Sequence, residues 1–225
     1  MTQVLTPADM IKPGTPSCNH IFPVHPPDLT PFPSISESNS IQMAKKKATA
    51  SKKVHETGNK PPAACVIPDL LYLGPVSATS NTGFLSREGI TQILSIGKSP
   101  AAQIDGITYL RLGLTDEEES TITDVVQRAC EFIDAAAVSE GEKVLVHCSA
   151  AISRSPTIVA AYLMKRRGMT LRESLQALVK ARPVVSPNPG FLRQLSDMEM
   201  EERGERSFDP SGVSSSTRLA GLLEG

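Results

Sequence analysis

The chain has 225 residues, enough for one domain with a tail or for two small domains. Its 23 Lys and Arg meet 24 Asp and Glu, a formal charge of −1, which argues against a nucleic-acid binder held by a basic face. At 40% hydrophobic residues it can build one core, while no stretch reaches the ~18 apolar residues of a membrane span. The opening Met-Thr-Gln-Val-Leu-Thr-Pro lacks the basic and apolar regions of a secretory signal. Cys18, Cys65, Cys130 and Cys148 form no CxxC pair and no dense cluster, so neither a disulfide scaffold nor a zinc module is expected. Free thiols in a reducing, intracellular setting, cytoplasm or nucleus, fit this usage better.

Residues 1–62 hold ten of the 18 prolines and show no sustained period of 2 or 3.6, the pattern of a disordered tail. Lys45, Lys46, Lys47, Lys52 and Lys53 form a split basic run, read first as a solvated linker and second as a nuclear address or a docking site for an acidic groove. A basic stretch can dock protein kinases, but Lys52-Lys53-Val54 is followed by His55-Glu56 rather than an apolar pair. Thr6-Pro7, Thr15-Pro16 and Thr30-Pro31 carry too little signal to be assigned as phosphorylation sites.

From residue 63 strands and helices alternate. Cys65 to Ile67 and Leu70 to Leu73 read as a strand pair that Gly74-Pro75 ends. Ile90 to Ile96 and Ile107 to Leu112 read as further strands. Residues 123–138 read as a helix with Val125, Ala129, Phe132, Ile133 and Ala136 on its buried face. Lys143 to His147 is a β-branched strand, and 155–167 a helix apolar nearly all round. Thr170 opens the next helix, with Glu173 completing a capping box and Leu171, Leu175, Leu178 and Val179 facing inward. A last helix runs from about Asn188 to Arg203, and residues 204–225 read as a flexible tail. The alternation predicts an α/β fold, a mostly parallel central sheet with helices on both faces, across residues 63–203. Such sheets bind ligands where a strand's carboxyl end leads into a helix N-terminus.

One junction concentrates chemistry: His147-Cys148-Ser149-Ala150-Ala151-Ile152-Ser153-Arg154-Ser155. A five-residue loop between Cys148 and Arg154 can curl so that its N–H groups converge on an anion, reinforced by the positive end of the following helix. The same field favours a thiolate, and Arg154 offers a planar fork for two phosphate oxygens. Alone, Cys148 reads as a small buried hydrophobe at a strand end. Arg154, six residues later, reverses that reading toward phosphoryl transfer to sulfur. His147 points to the opposite face of its strand, so it fixes the loop from behind rather than deprotonating the thiol. Asp116, on a loop at a strand's carboxyl end, is the preferred proton donor, with Glu118, Glu119 and Asp124 as competitors and helix capping as the bland alternative.

Val146 to Ser155 resembles the signature of the protein tyrosine phosphatases: His-Cys, five residues, then Arg-Ser. Ser153-Arg154-Ser155 followed by Ala161-Tyr162-Leu163-Met164 resembles the dual-specificity phosphatases, small atypical type. Leu71-Tyr72-Leu73-Gly74, Ile90 to Leu94, Ala181-Arg182-Pro183 and Asn188-Pro189-Gly190-Phe191-Leu192 match in order and spacing. The resemblance implies that Cys148 is the nucleophile, that Arg154 and loop residues Ser149, Ala150, Ala151, Ile152 and Ser153 bind phosphate, and that Asp116 is the general acid. It also implies that Ser155 stabilises the leaving thiolate and that Asn188 buttresses the loop. It implies phosphorylated protein substrates, both phosphotyrosine and phosphoserine or phosphothreonine, and no metal or organic cofactor.

One position departs from the family: Ala151 stands where Gly is usual. If its φ is positive, the Cβ costs about 1–2 kcal/mol. That keeps open an alternative, a phospho-binding regulatory module with little turnover. A sulfurtransferase or arsenate reductase lacks support because no resolving-thiol motif is present. A phosphoinositide or RNA phosphatase would place basic residues inside the loop, and residues 149–153 carry none. A thiol exposed at 148 is also expected to meet peroxide, with Cys65 or Cys130 as traps.

Overall fold

The computed structural model describes residues 61–214 and 219–223. The lysine run and the Thr-Pro pairs lie outside the described residues. The strands are β1 (Ala64–Ile67), β2 (Leu71–Pro75), β3 (Gln92–Ile96), β4 (Thr108–Leu112) and β5 (Val144–Cys148). The helices are α1 (Thr82–Glu88), α2 (Thr123–Ala137), α3 (Arg154–Arg167), α4 (Leu171–Ala181), α5 (Pro189–Arg203) and α6 (Leu219–Leu223), with a 3-10 turn at Val76–Ser80.

The strands form one sheet in the order β1-β2-β5-β3-β4. β1 and β2 are antiparallel, and the other pairs are parallel. β5 lies in the middle with all five residues buried, as a Val-Leu-Val strand covered on both faces should be. Its side chains alternate between two cores. Leu145 joins Tyr72, Ile93, Phe84 and Leu85 on the α1 face. Val144 and Val146 join Leu71, Leu73, Leu94 and the apolar faces of α2 to α5. Each such buried aliphatic side chain contributes roughly 1.5–3 kcal/mol. The expected α/β layer, with helices on both faces, is the fold observed. Among the described residues no helix is long and apolar enough to cross a membrane.

Several elements differ from expectation for local reasons. Gly74-Pro75 extends β2 instead of ending it, pairing with His147 and Cys148. Gly74 is required there because a Cβ would come 2.7 Å from that of Ala63. Helix α1 had no sequence signal, being seven residues with one Gly; it is started by Asn81 Oδ1 accepting from Phe84 N at 2.9 Å. On α2 the buried residues are Val126, Ala129, Cys130, Ile133 and Ala136, while Val125 and Phe132 are only partly buried. The capping box of Thr170 and Glu173 forms as read.

The segment after α5, expected to be loose, packs on the domain in its described parts. Phe208, Val213, Leu219 and Leu223 are buried. Glu199, 1% exposed, accepts from Leu171 N, Ser207 N and Ser207 Oγ at 2.7, 2.8 and 2.7 Å. One carboxylate thereby caps α4 and ties down the chain beyond α5. Arg172 completes the clasp, donating from Nε to Ser207 O at 3.0 Å and lying over the Phe208 ring. Widely spaced anchors such as these leave no periodic signal. Phe208→Ala is expected to destabilise the domain by ~3 kcal/mol in urea unfolding, as buried Phe truncations do. Val138→Ala, at a residue 86% exposed, should change stability by less than ~0.5 kcal/mol. A Phe208 effect as small as the Val138 effect would mean that the segment does not hold to the domain.

Candidate active site

β5 ends at Cys148 and α3 begins at Arg154, so residues 149–153 turn the chain through a tight loop. Every carbonyl of that loop is held from outside. Ser149 O accepts from Val76 N at 3.2 Å, and Ile152 O from Ser186 N at 2.8 Å. Ala150 O and Ala151 O accept from Nη2 and Nε of Arg182 at 2.9 and 3.1 Å. Ser153 O accepts from the backbone N and the hydroxyl of Thr157 at 3.0 and 2.8 Å. With the carbonyls turned outward, the amides face inward, where Cys148 lies. Ala151 takes φ 54 to complete the turn and is fully buried. The departure from Gly is therefore met by a left-handed alanine.

Cys148 sits on the floor of this loop, 2% exposed rather than the exposed thiol expected. Burial pushes its pKa up, but the hydrogen bond from Ser155 Oγ at 3.2 Å and the amides of Ser155, Ala150 and Ala151 reverse that, leaving it below an ordinary thiol. His147, fully buried, faces away from the sulfur as the strand alternation requires. Its Nδ1 lies 3.2 Å from Cys148 O and its Nε2 2.7 Å from Ser95 Oγ. A carbonyl only accepts, so Nδ1 carries the proton and Nε2 accepts from the hydroxyl. Burial lowers the His147 pKa, partly offset by its bond to the Cys148 carbonyl, which keeps the ring neutral.

Arg154 lies across the loop mouth. Its Nη2 donates to Ser149 Oγ at 3.0 Å and its Nη1 reaches Leu114 O at 3.5 Å. Nε is buried and has no hydrogen-bond partner among the described residues, Asp116 Oδ2 being 3.6 Å away. A buried guanidinium N–H left without a hydrogen-bond acceptor carries a free-energy cost that an anion at that position would offset.

Asp116 comes to the same place from the loop after β4. Its Oδ1 accepts from Ser153 Oγ at 2.6 Å and from Asn188 Nδ2 at 3.0 Å. Asn188 also caps α5 by accepting from Phe191 N at 2.9 Å, and its own N donates to Ser153 Oγ at 3.0 Å. It thus joins the 149–153 loop, the loop after β4 and α5. Among the rival acids, Glu118 is turned away into a pair with Arg193 at 2.7 Å and Asp124 stands in the first turn of α2. Asp116 is the carboxylate brought against Arg154 and Ser153. Beside it a cavity of about 860 Å³ opens along the ends of β3 and β4, lined in part by Arg154, Asp116, Lys98 and Arg111.

Three contributors were not read from the sequence as part of the site. Arg182 was seen only as a matching residue, yet it binds two loop carbonyls. Gly97 has φ 84, and a Cβ there would lie 2.5 Å from Arg154 Nη1 and 2.8 Å from Leu114 O. Ser95, paired in register with His147 on the neighbouring strand, orients the imidazole. Cys65 and Cys130 are not in the site: the first lies on β1 opposite Tyr72, the second on the buried face of α2.

Residues 71–201 match the family model of the dual specificity phosphatase catalytic domain. Dual specificity protein phosphatase 1 of Arabidopsis thaliana is 45% identical over 130 residues, covering 57% of this chain and 65% of that protein. Dual specificity protein phosphatase 15 of Mus musculus is 41% identical over 127 residues, covering 56% of this chain and 54% of that protein. The match thus spans between half and two thirds of those relatives' lengths. A mouse putative dual specificity phosphatase solved with zinc tungstate superposes with a TM-score of 0.61 at 31% identity, covering 68% of this chain and 96% of that one. Human DUSP28 gives 0.59 at 32% identity, covering 64% and 97%. The outward-bonded loop, the thiol on its floor and the match over most of the folded region lead to one conclusion: the chain belongs to the dual specificity phosphatase family.

Proposed function

We propose that the chain hydrolyses phosphate monoesters on tyrosine and on serine or threonine of intracellular proteins, through a phosphocysteine. The observation that carries this reading is the convergence of the Ser155 hydroxyl and the amides of Ala150, Ala151 and Ser155 on Cys148 Sγ. The Cys148 thiolate attacks phosphorus while the P–O bond to the side chain breaks, and Asp116 gives its proton to the departing oxygen. Arg154 and the inward amides hold the phosphoryl oxygens as charge redistributes. In the second step Asp116 takes a proton from water, water oxygen bonds to phosphorus, and the P–S bond breaks. Ser155 Oγ–H, already 3.2 Å from the sulfur, stabilises the thiolate that leaves. The mouse relative was solved with zinc tungstate, and tungstate is a tetrahedral dianion like phosphate, so a protein similar to this chain takes up an anion of that shape.

The entrance favours tolerance of both ester classes. Ile152 of the loop is 42% exposed, and the cavity beside Arg154 and Asp116 is wide enough for a short or a long phosphorylated side chain. The reading as a mere phospho-binding module rested on Ala151. That residue keeps the left-handed turn, and the carbonyls on either side of the strained turn remain bonded.

The test is turnover of p-nitrophenyl phosphate and of a phosphopeptide panel. Vanadate-sensitive release that vanishes in Cys148→Ser is expected, and release that persists in that variant would overturn the assignment. The pH dependence has a fixed sign. A lowered Cys148 pKa puts the rising limb of kcat/KM at a pH below ordinary thiol ionisation. Asp116→Asn should lower kcat by withdrawing the proton donor, and an unchanged kcat would assign the acid elsewhere. Arg182 and Ala151 should be coupled. Arg182→Ala is expected to lower kcat/KM roughly 10–100-fold, the scale of losing one aligned donor or less. In the Ala151→Gly background, itself of equal or higher activity, the same change should cost clearly less, because Gly holds φ 54 without support. Strictly additive effects would show that Arg182 does not sustain the strained turn.

A further inference from the structure

Glu199 is a buried carboxylate that the proposed chemistry does not use. It is 1% exposed and belongs to none of the ion pairs among the described residues. A buried acid without a cation persists only when aligned donors fill its lone pairs. Leu171 N and Ser207 Oγ donate to Oε1, each at 2.7 Å, and Ser207 N donates to Oε2 at 2.8 Å. Ser207 Oγ in turn accepts from Arg172 N at 3.0 Å. All of these groups meet at the start of α4. The first turn of a helix leaves N–H groups without partners inside the helix, and in α4 those of Leu171, Arg172 and Glu173 are taken by Glu199, Ser207 Oγ and Thr170 Oγ1. Two of the three acceptors come from outside the helix's own capping box. The charge of Glu199 also suits the positive end of the helix dipole.

A second tie lies farther along α4, where Gln176 Nε2 donates to Leu223 O at 2.9 Å. The inner face of the helix supplies no such anchor: it is Leu171, Leu175 and Leu178 with Ser174, whose fully buried hydroxyl has no partner among the described residues. Ser207 and Leu223 both follow residue 201, where the match to the family model ends. The other end of α4 delivers Arg182. Arg182 is the C-cap, its N donating to Leu178 O at 2.8 Å, and its guanidinium binds the carbonyls of Ala150 and Ala151. Eleven helical residues make a rod of about 16 Å. A tilt of about 5° at one end of such a rod moves the other by about 1.4 Å. Misplacing a positioning group by about 1 Å can cost ~100-fold in rate.

From this geometry we infer that Glu199 is a positioning residue of the active site: by clasping Ser207 and the first turn of α4 it sets the helix, and through Arg182 it sets the loop around Cys148. Its effect on rate rests on the phosphatase reading above, whereas its effect on the loop does not. The chain beyond α5 thereby becomes part of the support of the loop, although its anchor at Ser207 stands at the opposite end of α4 from Arg182. Arg182 has a nearer support as well, since Val185 N donates to its carbonyl at 3.0 Å. The test therefore has to separate a helix steered from its first turn from an arginine held by the turn that follows it.

The experiment uses the full chain and combines each clasp variant with Arg182→Ala. Ser207→Ala removes the acceptor of Arg172 N and one donor to Glu199. Glu199→Gln keeps one oxygen for Leu171 N but sets an NH2 group against Ser207 N. Each is expected to lower kcat on p-nitrophenyl phosphate roughly fivefold or more, and by no more than Arg182→Ala does, since the effect passes through that residue. In the Arg182→Ala background the same changes should leave kcat within about twofold. Amide hydrogen exchange gives a readout that needs no turnover. Peptides spanning 148–154 and 171–186 should exchange faster in the clasp variants, while a peptide over α1, on the opposite face of the sheet, keeps its wild-type rate. If Glu199→Gln does not fold, Ser207→Ala decides alone. Unchanged kcat, equal losses with and without Arg182, exchange that quickens in 171–181 but not in 148–154, or exchange that quickens equally over α1 would each overturn the positioning role. A wild type that does not hydrolyse p-nitrophenyl phosphate would count against the phosphatase reading alone, and exchange over 148–154 would then decide the role of Glu199.

Discussion

The carbonyls between Ser149 and Ser153 all point away from the sulfur they surround, and each is occupied by a donor from another part of the chain or from the first turn of α3. A peptide unit cannot turn its C=O out without turning its N–H in. The inward direction of the amides is thus set by what lies outside the loop: the start of the 3-10 turn after β2, the Arg182 side chain and the backbone before α5. Each of these bonds is worth about 1 kcal/mol net, more where a guanidinium is the donor. Together they exceed the roughly 1–2 kcal/mol by which a left-handed Ala151 is disfavoured. The loop keeps its shape because the surrounding fold over-determines it, the condition under which backbone strain persists at a functional site.

That geometry also decides the state of the sulfur. Moving Cys148 out of water favours the neutral thiol, yet its pKa is lowered because donors meet it on several sides. The case of Cys130 is instructive. It is buried on α2, and burial carries its pKa up to about 11 despite the nearby Arg166. The two thiols are almost equally hidden, and the difference between them is hydrogen bonding from aligned amides and a hydroxyl. Burial alone raises a thiol's pKa, whereas burial inside a ring of donors lowers it.

What could be read from the sequence was what is local. His147, Cys148, Arg154 and Ser155 lie within one strand-to-helix junction, so their spacing alone placed them together. The β5 run and the capping box at Thr170 were equally readable, because alternation and end-capping act over a few residues. Arg182 reaches the loop from 31 positions away in sequence, and Ser95 meets His147 across 52, so neither leaves a local trace. Asp116 was preferred among four acids by its place after a strand, and its selection depends on contacts from Ser153 and Asn188, 37 and 72 positions away in sequence. The face of α2 was read with Val125 and Phe132 where Val126 and Cys130 are the fully buried residues, because several apolar residues in succession offer more than one choice for the same stripe. The segment after α5 was misread because its anchors, Phe208 and Val213, are single apolar residues in polar surroundings.

Three positions around the site show why a side chain can replace glycine in one place and not in another. At Gly97 a Cβ would lie 2.5 Å from Arg154 Nη1 and 2.8 Å from a backbone oxygen, so even Ala would expel the guanidinium from its position. At Gly190 it would lie 2.0 Å from Glu118 O, backbone against backbone, so the loop carrying Asp116 would have to move bodily. At Ala151 the Cβ is present, buried, and accommodated at φ 54, so the cost there is torsional. A torsional penalty is finite and can be offset by a few hydrogen bonds, as the partners of the loop carbonyls do here. A collision between backbone atoms is not offset that way, since relieving it displaces the groups the site depends on. The loop therefore tolerates alanine at 151, and it does so only while Arg182 and its neighbours continue to hold the turned-out carbonyls.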